Sequence, residues 1–278
     1  MTMNKLMNIV WLLCLTTPLW AQSNYKIAAG GKTIEFREID ELNIVGSTGS
    51  DMVIEGDPDD ADRDERAAGL RKISASGLND NTGQGLSVTE SGGRIVVQQV
   101  GSGDRAVTVR VPNNATVSVE QSTHRGGNLT VSDFGGSLDV SMMYHKTTLK
   151  NVMGAVAVNT VYDDIIATWD TAPTNEVRLH STYSDVDVTL PASTKANLRL
   201  ATSYGNMYTD FDIQVKPNMV ESTPTEAGDQ RSEMRAARAE ERERRREGGG
   251  QVLAGTIGGG GPLLALTATY DNLYLRKK

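Results

Sequence analysis

Apolar and polar residues alternate along most of this chain, and short runs of Gly, Asn, Asp and Ser break the alternation at regular intervals. In VRLHSTYSDVDVTL, Val177, Leu179 and Ser181 share one face while Arg178, His180 and Thr182 point the other way. Ser184 and Asp185 then make a corner, and Val186, Val188 and Leu190 resume the pattern. Period two predicts strands, and the corner residues predict a turn between them.

The same phrase recurs. LDVSMMYHKTTL, VAVNTVYDDIIA, VRLHSTYSDVDV, LRLATSYGNMYT and LALTATYDNLYL align on Tyr144, Tyr162, Tyr183, Tyr204 and Tyr270. The first four are spaced by 18, 21 and 21 residues, and VSVEQSTHRGGN places Thr123 at the tyrosine position 21 residues before Tyr144. A repeat of this length predicts an all-β parallel solenoid, or β-helix, with rungs of about 18 to 21 residues, none of which buries its apolar face alone. The tyrosines form a structural ladder in this reading. They fall in phase with inward positions, which favours a core and corner stack over an aromatic platform for sugar rings.

Upstream the pattern loosens. ELNIVGSTGSDMVIEG predicts two short strands around Gly46 and Gly49, GLSVTESGGRIVVQQV a hairpin or rung with Gly92 and Gly93 at its corner, and AVTVRVPNNATVSV a strand ended by Pro112, as Pro191 ends another. The N-terminal section therefore caps the regular coil. The segment 218–250, PNMVESTPTEAGDQRSEMRAARAEERERRREGGG with its preceding Pro217, lacks an apolar face and reads as a charged, partly helical or disordered insertion. Glu240 with Arg244 and Glu241 with Arg245 stand in the favourable helical order, and acids and bases nearly cancel.

The first residues set the compartment. Lys5, the apolar run from Ile9 to Leu15, and Ala21 before Gln22 predict a secretory signal peptide over 1–21, leaving one domain over 22–278. Cys14 lies within it after Leu13, where a lipid-attachment site needs a small residue, and the remainder has no cysteine and so no disulfide framework. Export to the periplasm, cell surface or extracellular space follows. No later segment has the length of apolar residues a transmembrane helix needs. Losing Lys5 takes the formal charge from −7 to −8, which disfavours nucleic acid as a partner.

Candidate chemistry is sparse. His124, His145 and Asp163 fall on successive corners and are the metal candidates, although strands about 4.8 Å apart separate them more widely than one zinc's ligands. Asp60, Asp62 and Asp64 begin like a calcium loop, but Glu65 stands where glycine is required and Arg71 where the bidentate glutamate is. Asp164, Asp185 and Asp187 invite comparison with carbohydrate-cleaving β-helices, yet occupy positions where turns favour Asp anyway. Gly258 to Gly261 lack the lysine and hydroxyl of a phosphate loop. The expectation is a protein without catalytic residues or cofactors.

ERAAGLRKI, DNTGQGLSV, VTVRVPNNATVSV, LRLATSYGNMYTDF and GGGGPLLALTATYDNLYLRK together resemble the bacterial putative-adhesin domain family, over roughly Lys32 to Lys277 apart from the insertion. The resemblance implies an exported envelope β-solenoid of the kind found in Bacteroidetes-type bacteria, with no catalytic residues to carry over. Three functions follow as expectations: a non-catalytic adhesin binding an envelope protein or glycan, a periplasmic or stress-response scaffold docking through 218–250, and a carbohydrate-active β-helix. An uncovered end strand would also permit end-to-end self-association.

Overall fold

The computed structural model describes residues 24–55, 66, 70, 74–75, 77–101, 106–216 and 250–278. The predicted signal segment, the acidic stretch with Asp60, Asp62 and Asp64, and all of the charged insertion except Gly250 lie outside the described residues.

The described chain is all strand and turn. It opens with β1 (Tyr25–Ala28), β2 (Thr33–Arg37), β3 (Glu41–Ser47) and β4 (Asp51–Glu55), then β5 (Leu86–Ser91), β6 (Arg94–Gln99) and β7 (Ala106–Pro112). The regular part follows as β8 (Thr116–Gln121), β9 (Leu129–Ser132), β10 (Ser137–Met142), β11 (Thr147–Lys150), β12 (Val156–Thr160), β13 (Ile165–Thr168), β14 (Val177–Ser181) and β15 (Val186–Leu190). The last strands are β16 (Ala196–Thr202), β17 (Met207–Thr209), β18 (Gln214–Val215), β19 (Gln251–Ile257), β20 (Leu263–Ala268) and β21 (Leu273–Lys277).

These strands form two mixed sheets, ordered β1-β4-β7-β3-β9-β11-β13-β15-β21-β17 and β5-β6-β2-β8-β10-β12-β14-β20-β16-β19-β18. Each corner carries the chain from the second sheet to the first, so β8 with β9, or β14 with β15, is one two-strand unit. Within the stack the units pair in parallel and in register, Val140 opposite Val119 and Val158, Val188 opposite Ala167 and Leu275. Because side chains alternate along a strand, this register collects the apolar positions of every unit into columns between the sheets. The interior is a narrow seam of Val, Leu and Ile. Trp169 and Phe134 are fully buried in it, the Trp169 indole donating to the Val152 carbonyl at 2.7 Å.

The order of units departs from chain order at both ends. The unit β2/β3 lies between β6/β7 and β8/β9, and the unit β20/β21 lies between β14/β15 and β16/β17. Sequence repeats with interchangeable apolar faces do not encode which neighbour each copy takes.

The sheets are mixed because their ends are antiparallel. GLSVTESGGRIVVQQV forms the hairpin β5/β6 with Gly92 and Gly93 at positive φ. The strands β4 and β1 close the other sheet at the same end. At the far end β19 runs antiparallel to β16 and β18 antiparallel to β19. Among the described residues only β17 ends a sheet as a parallel strand, and it is three residues long, which limits the edge open to another molecule.

Candidate functional site

The corner that follows β10, β12, β14, β20 and β16 repeats along the stack. Its backbone is fixed from unit to unit: the Tyr162 N–H donates to Met143, that of Tyr183 to Val161, that of Tyr270 to Thr182 and that of Tyr204 to Thr269, at 2.9 to 3.0 Å. These bonds continue the ladder of the sheet around the bend, so each tyrosine Cα advances by one strand spacing.

The side chains of the next positions add a second ladder. The Asn128 side-chain oxygen accepts the Lys146 N–H at 3.2 Å, Asp164 accepts that of Asp185 at 3.2 Å, Asp185 that of Asn272 at 2.9 Å, and Asn272 that of Asn206 at 3.0 Å. Each corner thereby satisfies a backbone donor of its neighbour, which is the structural work these Asp and Asn residues do. Burial pushes the Asp185 carboxyl above the usual carboxylate value, and the adjacent Asp271 and Asp164 push it the same way. Asp187 stands apart on β15, gripped by the Arg276 guanidinium at 2.9 to 3.1 Å. The three aspartates are thus distributed between two structural roles.

Tyr144, Tyr162, Tyr183, Tyr270 and Tyr204 stack in that order. Successive ring centroids lie 5.2, 5.3, 4.8 and 4.7 Å apart, and the planes are within 16° of parallel. The inward placement expected from the alternation does not occur. The tyrosines are 40% to 63% exposed, because each strand ends two residues before its tyrosine and the corner turns the side chain out of the seam. The inward position before the bend is instead Met142, Thr160, Ser181, Ala268 or Thr202, and the Ser181 and Thr202 hydroxyls accept the corner N–H groups of Ser184 and Gly205.

His124 extends the column by packing its ring at 87° to Tyr144, 6.5 Å between centroids. It does so in place of Thr123, whose hydroxyl bonds Glu38. His145 has its Nε2 buried without a hydrogen-bond partner, and Asp163 accepts the Asp164 N–H at 2.7 Å. Among the described residues no three of His, Cys, Asp and Glu converge as metal ligands. No helix among them is long and apolar enough to cross a membrane.

Two features went unread in the sequence. A shorter column pairs Tyr208 with Tyr274 at 5.2 Å, with Arg276 above the Tyr274 ring at 4.7 Å. The signal was present as a second tyrosine four residues after Tyr204 and Tyr270. Glu38 is the other: at φ 50 it turns back to take the N–H and hydroxyl of both Ser122 and Thr123, holding the first corner of the column.

No protein-family model matches the chain, and no curated protein does either. Among solved structures, the chain is similar to a putative cell adhesion protein from Clostridium sporogenes, with 8% identity and a TM-score of 0.42, over 92% of this chain and 99% of that one.

Proposed function

We propose that this chain is a two-sheet β-solenoid exported to the bacterial cell envelope, where it acts without catalysis as an adhesin. Its contact surface is the outward tyrosine column with the polar face beside it. The observation that carries this reading is the exposure of five stacked tyrosines on a rigid corner. Aromatic side chains held in one conformation supply contact area at little cost in side-chain entropy, which favours binding over packing as the reason to keep them outside. The corner aspartates support the same reading, since their oxygens are already engaged by backbone donors and by Arg276.

The test is capture of the purified protein by intact bacterial cells and by isolated envelope material. Retention is expected, and it should fall sharply in a Tyr162→Ala/Tyr183→Ala variant that still melts cooperatively. A wild-type protein retained by neither surface overturns the reading. Antibody labelling of intact beside lysed cells separates display on the surface from residence in the periplasm.

A further inference from the structure

The five tyrosines have spent their ring faces on one another. With planes 5° to 16° apart and centroids 4.7 to 5.3 Å apart, each of the four contacts closes two faces, which leaves the outer face of Tyr144, against which His124 packs edge-on, and that of Tyr204. A sugar cannot stack on the middle rings. What those rings offer to solvent is their outer edges and hydroxyls.

None of the five phenol hydroxyls bonds to another group among the described residues, and each is both a donor and an acceptor. Their positions are set by the corner backbone, whose N–H groups bond from unit to unit at 2.9 to 3.0 Å. The result is a pre-organised row of hydrogen-bonding groups on rings whose centroids step by 4.7 to 5.3 Å, about 20 Å measured along the stack from the first ring to the last.

A ligand that engages the whole row must repeat with that step. An extended peptide advances about 3.3 Å per residue, and a stacked nucleic-acid strand about 3.4 Å, so both drift out of phase within two or three tyrosines. The net charge of −7 also opposes a polyanion. A ribbon of equatorially linked pyranoses advances by one ring length per sugar, which matches the 4.7 to 5.3 Å between successive tyrosine rings, and it carries hydroxyls along its edges. We infer that the column binds a linear, uncharged, β-linked polysaccharide lying along the stack, one sugar to each tyrosine hydroxyl.

This inference rests on the adhesin reading and makes its ligand specific. Flanking corner positions are polar: Thr182, Ser203 and Thr269 immediately precede a tyrosine of the column in sequence, and Ser184 and Asp271 immediately follow one.

The experiment is calorimetric titration of the full chain with purified β-linked hexose oligomers of one to eight sugars. Affinity is expected to climb with each sugar up to five and to level off beyond. Tyr183→Phe, which keeps the ring stack and deletes one central hydroxyl, should weaken the pentamer five- to tenfold while leaving the melting temperature unchanged. The inference is overturned by equal affinity for monomer and pentamer, by pentamer binding that Tyr183→Phe does not weaken, or by no binding of any oligomer. Capture of the same Tyr183→Phe protein by cells, undiminished, would leave the adhesin reading standing while removing this one.

Discussion

The carboxylate of Asp185 accepts the backbone N–H of Asn272 at 2.9 Å, although 87 residues of chain separate the two. The bond exists because β20/β21 occupies a place inside the stack, next to β14/β15, and so brings the corner of the last unit against that of Asp185. It also brings Asp271 close. Burial, then Asp271 and Asp164, raise the Asp185 carboxyl above its ordinary value, so the folded state holds the proton more tightly than the unfolded chain.

The sign of the pH effect follows. A raised carboxyl costs stability as pH climbs from the ordinary carboxylate value through the raised one, because ionisation is then easier in the unfolded chain. Asp185→Asn keeps an oxygen for the Asn272 N–H and removes the charge. The variant should melt above wild type at pH 7, with the difference shrinking as pH falls toward 4; thermal melts across that range check it.

Glu38 gives the opposite slope. Burial works to raise its carboxyl, but hydrogen bonds from Ser122 and Thr123 outweigh it and hold it below the ordinary carboxylate value. Its contribution is full above the ordinary value and disappears as pH drops through the lowered one. Glu38→Ala removes the acceptor of four donors at the first corner and should cost about 1.5 to 3 kcal/mol at pH 7 by denaturant titration, on the scale of hydrogen bonds to a charged group. The deficit should narrow in acid.

Thr147 is fully buried with its hydroxyl unpartnered, in a column where its register neighbours are Leu129 and Ile165. Replacing it with valine keeps the shape and deletes an unsatisfied polar group. Thr147→Val should raise stability by about 1 kcal/mol or more, read as a higher denaturant midpoint at an unchanged slope.

Gly154 marks a close approach of two units on the side away from the tyrosines. A Cβ there would overlap the Gly136 carbonyl, and backbone cannot swing aside as a side chain can. Gly154→Ala should therefore cost well over 1 kcal/mol, whereas Gly92→Ala, with open space around it but φ 58, should cost about 1 kcal/mol from backbone conformation alone.

The strands and corners were readable because both are local. Val177, Leu179 and Ser181 announce their face by alternation, and Ser184 and Asp185 announce the bend. The neighbours of each strand were not readable, since VRL in β14, LRL in β16 and LAL in β20 present equivalent faces and parallel pairing adds no local signal. Nor was the outward turn of the tyrosines, because alternation carries no mark of where it stops. Tyr183 lies two residues beyond Ser181 and would have pointed inward had the strand continued. The Asp164, Asp185 and Asp271 corner was legible as turn chemistry, but its ladder of side chain to neighbouring backbone needed the spatial order.

The interleaved last unit bears on how this molecule would carry load. A coil whose final strand sits at the edge peels under tension one hydrogen bond at a time. Here β21 is flanked by β15 and β17, and β20 by β14 and β16, all parallel and in register. A pull along β21 meets both flanks at once in shear, so their bonds must give way together. The fold places β20 and β21 like a tongue between two boards, a joint from which neither strand can leave by peeling.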